Sequence, residues 1–85
     1  MTKQERKELA ILQVADVMEN ACDVLNAGQD VMQTAYAMTA SVDGMRQRMS
    51  ENGIQERYEY VAWEVYSAIN NLLGIMNDIR KMRKD

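Results

Sequence analysis

Apolar side chains return along this chain in steps of three and four, the spacing of helices that each bury one face. The first row runs Ala10, Val14, Val17, Ala21, Val24, with Ile11, Met18 and Leu25 flanking it. Asp16, Glu19, Asn20 and Asp23 fall on the reverse side at about 100° per residue, so that side is expected to meet water. Thr2 followed by Glu5 has the spacing of a capping box and sets a helix start at Lys3. Asn26-Ala27-Gly28 is a candidate helix end, because glycine takes the left-handed cap conformation without a Cβ penalty. The same rhythm nevertheless continues through Gly28 into Val31, Ala35, Met38, Val42, Met45 and Met49, so one very long helix is the alternative. Glu51-Asn52-Gly53 is the stronger break, since Asn-Gly is a turn dipeptide and the row pauses around it.

Beyond that turn the last helix has the cleanest period. Ile54, Tyr58, Val61, Val65, Ala68, Leu72, Ile75, Ile79 and Met82 form one row, and Ala62, Tyr66, Ile69, Leu73 and Met76 a second beside it. Two adjacent rows imply two neighbours, as in a bundle. The expected fold is therefore all-α, a small antiparallel three-helix bundle with helices at about 3–26, 29–51 and 54–84 in a single domain, 1–85. The alternative is a long helical hairpin that dimerises into a four-helix bundle, with Ala21, Gly28 and Ala35, seven apart, letting a partner backbone approach. Gly44 and Gly74 fall on polar faces and read as interior helix positions. Leu9 and Leu12 are expected to cap the bundle against the 51–58 turn, and Met32, Met38, Met45 and Met49 to fill the core.

Composition removes most chemistry. Of 85 residues 47% are hydrophobic, yet there is no proline, phenylalanine or histidine, and there is one cysteine. Cys22 cannot close an internal disulfide and reads as a small apolar filler in a reducing compartment. Ser41, Ser50 and Ser67 have no histidine base, and the glycines never cluster into a phosphate-cradling loop. Carboxylate metal sites of helical bundles draw on Glu-x-x-His elements, which are impossible here. No enzyme, metal or cofactor is expected. The basic start is soon interrupted by polar residues, no apolar run reaches membrane-spanning length, and the mean hydropathy is −0.44, so a cytoplasmic protein without membrane contact is expected.

Charge is segregated. Between Lys7 and Arg46 stand Glu8, Asp16, Glu19, Asp23, Asp30 and Asp43 and no basic residue, while Arg80, Lys81, Arg83 and Lys84 crowd the far end. A reversal at Asn52-Gly53 would bring those bases back toward Glu19 and Asp23. With a net charge of −3 and a sequence pI of about 4.9, direct nucleic-acid binding is not expected. The acidic face Asp16, Glu19, Asp23 and Asp30 suggests one lesser alternative, a nucleic-acid mimic that blocks a DNA- or RNA-binding protein.

Two aromatic residues break the apolar pattern. Taking Val65 as the middle of the buried face, Trp63 lies about 160° away and Tyr60 about 140° the other way, beside Glu56, Glu59 and Ser67. Tryptophan and tyrosine are enriched at binding hot spots. Tyr60, Trp63, Glu56, Glu59 and Ser67 are thus the expected partner-binding set of a non-enzymatic interaction module, an adaptor, chaperone or phage-type inhibitor with a protein partner. The runner-up is a self-associating structural protein, a homodimer through the small-residue row and the methionines.

Overall fold

The computed structural model describes residues 1–82, and among these the chain is all-α with three α-helices and no strand. Helix α1 spans Lys3–Met38, α2 Met45–Glu51 and α3 Ile54–Met82, with a single 3-10 turn, Thr39–Ser41, after α1. Arg83 and Lys84, which belong to the expected basic end and to the expected last turn, lie outside the described residues.

The capping box is formed: the Glu5 amide donates to Thr2 Oγ1 at 3.1 Å, and the Thr2 amide donates back to Glu5 Oε1 at 3.5 Å. Helix α1 then passes through Gly28 without a break, and this corrects the expected division at 26–29. One interior glycine costs about 1 kcal/mol relative to alanine, too little to stop a helix whose packing row continues past it. The break comes eleven residues later and is made by hydroxyls and a glycine. Thr39 Oγ1 donates to the Tyr36 carbonyl at 2.6 Å and Ser41 Oγ to that of Met38 at 2.7 Å, taking up carbonyls near the helix end. Val42 is extended, and Gly44, expected inside a helix, is instead the left-handed N-cap of α2 with φ 72°. The Asn52-Gly53 turn forms as expected: Gly53 also has φ 72°, and Asn52 Nδ2 donates to the Arg48 carbonyl at 2.7 Å.

Helix α3 returns antiparallel along α1, so two of the three helices form a long hairpin with α2 folded into its bend. The face that α1 turns toward α3 is the flanking row of the sequence pattern. Ile11, Ala15, Met18, Cys22, Leu25, Gln29, Met32 and Tyr36 are buried or half-buried, each one residue beyond a member of the row Ala10 to Ala35. The expected core row is the exposed one: Val14, Val17, Val24 and Val31 stand 49%, 67%, 71% and 68% exposed. The inner row carries the bulkier Ile, Met, Leu and Tyr, and the larger apolar area decides which of two adjacent stripes is covered. On α3 the inward side takes members of both rows, Tyr58, Ala62, Val65, Ile69, Leu72, Met76 and Ile79, while Ile54, Val61, Tyr66, Leu73, Ile75 and Met82 are exposed at its edges.

The bend end is fastened by a cluster that sequence reasoning does not single out. Tyr36 and Tyr58 stack with centroids 4.7 Å apart, Arg46 lies 4.5 Å over the Tyr36 ring, and the Tyr36 hydroxyl donates to Gln55 Oε1 at 3.1 Å. Arg46 also donates to Thr39 Oγ1 and the Tyr36 carbonyl, tying α2 to the end of α1. Met49 is buried beside this cluster and Met32 half-buried, but Met38 and Met45 face out, so the methionines divide between core and surface. Leu9 and Leu12 sit at the end of the hairpin remote from the 51–58 turn and cannot cap it: Leu9 is exposed and Leu12 half-buried.

Candidate interaction surfaces

On α3, steps of four, three and four place Glu56, Tyr60, Trp63 and Ser67 in one row, with Glu59 beside it. The row points away from α1. Trp63 is 64% and Tyr60 62% exposed, Glu56 and Glu59 are exposed, and Ser67 is half-buried. The five residues therefore share one outer surface as the spacing predicts. Glu64, one turn beyond Tyr60, adds a third carboxylate. It raises the Tyr60 pKa above the ordinary value of 10.0, first by accepting a hydrogen bond from the neutral hydroxyl and then by its negative charge.

The acidic residues lie on the other long helix. Asp16, Asp23 and Asp30 recur every seven residues along α1, with Glu19 near the first, and all four are exposed. Arg80 reaches across from α3, Nη2 standing 2.8 Å from Glu19 Oε2 and 3.7 Å from Asp16 Oδ1. The expected return of the basic end onto the acidic stretch is thus realised at Glu19, whereas Asp23 and Asp30 have no ion-pair partner among the described residues. Such an exposed pair contributes only a few tenths of a kcal/mol, so it trims the register more than it holds the hairpin. No cluster of three metal-ligating side chains occurs among the described residues, and no helix there is long and apolar enough to cross a membrane.

A third surface is the uncovered row of α1. Ala10, Val14, Val17, Ala21, Val24, Gly28, Val31, Ala35 and Met38 run unbroken for about 42 Å of helix. The residues on its outer flank, Gln13, Asn20, Ala27 and Thr34, are uncharged as well. The preferred sequence reading assigned this row to the core of one chain and the alternative gave its Ala21, Gly28 and Ala35 to a second copy, because periodicity identifies a stripe without saying what lies against it. The missed signal is the one-residue offset between two complete rows, which a hairpin with a single partner helix cannot bury together.

No protein-family model matches the chain, and no curated protein or solved structure matches it either.

Proposed function

We propose that the chain is a non-enzymatic interaction module that recruits a protein partner through the outer face of α3. The observation that carries this reading is the outward placement of Trp63 and Tyr60 on one helix row, each more than three-fifths exposed. An indole and a phenol ring side by side offer a large rigid apolar area at small entropic cost, the usual make-up of a binding hot spot. Glu56, Glu59 and Glu64 surround the pair, so the complementary surface is a pocket for the indole with lysine or arginine at its rim. Binding of this kind acts by occlusion or by bridging, as an inhibitor, chaperone or adaptor does.

Quantitative affinity capture from the native cell tests it, comparing the wild-type chain with Trp63→Ala. Proteins held by the wild type and lost by the variant, at unchanged helicity and melting temperature, support the reading. Capture indifferent to Trp63→Ala, or a variant that unfolds, removes it.

Nucleic-acid mimicry has no comparable support. Carboxylates seven residues apart on a helix stand about 10 Å from one another, against one phosphate charge per roughly 1.7 Å of duplex. Arg80 also offsets part of the charge at Asp16 and Glu19.

A further inference from the structure

We propose that two copies of the chain associate through the uncovered α1 face, the row from Ala10 to Met38, as an antiparallel pair of hairpins. This goes beyond partner recruitment and uses none of the α3 outer-face residues.

A single copy is short of a core. Its accessible surface is 6639 Å², where a compact protein of 9.8 kDa exposes about 5,200 Å². Its radius of gyration is 19.4 Å, where a compact 85-residue domain has about 12 Å. Only Ala15, Cys22, Met49, Ile69 and Met76 are buried hydrophobics among the described residues. The excess, roughly 1,400 Å² per copy, is more than the about 800 Å² that each partner contributes to a standard interface. The hairpin is 17 Å across, so an α1 face about 42 Å long offers roughly 700 Å² on each copy, close to that contribution.

The face also fits itself. It alternates small and larger residues, Ala21, Gly28 and Ala35 against Val17, Val24, Val31 and Met38. A two-fold axis between Val24 and Gly28 reverses one copy on the other and sets Gly28 opposite Val24, Ala21 opposite Val31 and Ala35 opposite Val17, which is how antiparallel helices approach closely without voids. Shallow apolar grooves lie at both ends of the row, one lined by Ala10, Val14 and Val17, the other by Ala35, Met38 and Val42, and the same axis lays each end of one copy over the opposite end of the other. Charge permits the contact: from Ala10 to Val42 neither the row nor its outer flank carries a charged residue, although the chain has a net charge of −3. The acids of α1 are on its other sides, so two like-charged chains meet here without apposing carboxylates.

Sedimentation equilibrium of the full chain tests the pairing. The expected mass is twice 9.8 kDa at micromolar concentration. Val24→Glu, at a site already 71% exposed in one copy, leaves the hairpin folded and weakens association by about a hundredfold or more, because it buries an unpaired charge in the contact. In a Cys22→Ala background, Val24→Cys is expected to cross-link two copies with a short bismaleimide, and Glu64→Cys to remain uncross-linked. A monomer at every concentration overturns the proposal, as does a dimer indifferent to Val24→Glu or cross-linked at Glu64→Cys alone. Trp63→Ala is expected to leave the dimer intact, so loss of partner capture and loss of self-association are read separately.

Discussion

At the scale of single residues, environment separates side chains of similar type. Cys22 lies in the helix–helix seam, 2% exposed, as the filler its lack of thiolate-stabilising neighbours suggests. Tyr36 and Tyr58 are half-buried and stacked at the bend, whereas Tyr60, two residues beyond Tyr58, stands in solvent beside Glu64. The neutral phenol is favoured there, so the Tyr60 hydroxyl is predicted to lose its proton above pH 10.0. Any stability linked to that proton is present below this pH and fades as pH rises through the raised pKa. Glu64→Gln is expected to bring the Tyr60 transition down toward 10.0, as followed by ring resonances in a pH titration. A transition unmoved by the substitution would show that the two side chains do not interact in solution.

At the scale of elements, the glycines show how one residue type does two jobs. Gly53 has φ 72° and holds the reversal into α3, so Gly53→Ala forces a β-carbon into the left-handed region and is expected to cost about 1 kcal/mol or more. Gly74 lies inside α3 with open space where a β-carbon would go, so Gly74→Ala is expected to stabilise the helix by about 1 kcal/mol. Urea unfolding of the two variants should move the midpoint in opposite directions, and a destabilised Gly74→Ala would reveal a close neighbour at that position. The Asn-Gly turn, the capping box and the period of α3 were legible because each rests on neighbours in sequence. Gly44 was not. Its role as a cap follows from the end of α1 at Met38, which depends on Thr39, Ser41 and the Arg46–Tyr36 contact acting together.

At the scale of the molecule, a hairpin 65 Å long and 12 Å thick has little interior, and most of its apolar surface lies at the edges of one seam. If a second copy covers the α1 face, folding and association are linked by mass action. The melting temperature of the wild-type chain is then expected to rise with protein concentration, while that of Val24→Glu stays flat. Calorimetry over a hundredfold concentration range checks this, and a melting temperature independent of concentration for both would speak against the pairing. The spacing places Trp63 and Tyr60 on the side of α3 opposite its inward rows, but whether another segment covers that side was not legible in it, and the fold leaves both rings more than three-fifths exposed.

The amino-acid sequence by itself determined that the chain is helical, where α1 begins, where α3 begins, and that Trp63 and Tyr60 stand on the side of α3 opposite its apolar rows. These follow from spacing and turn chemistry within a few residues. Only the tertiary structure decided that α1 runs through Gly28, and that Ile11, Met18 and Leu25, not Val14, Val17 and Val24, face the returning helix. The two rows of α1 have the same three-four period and differ by one residue, about 100° of rotation. The stripe with the larger apolar area meets α3, but that only one of the two is covered depends on how many helices pack against α1, a relation between helices that no local pattern contains.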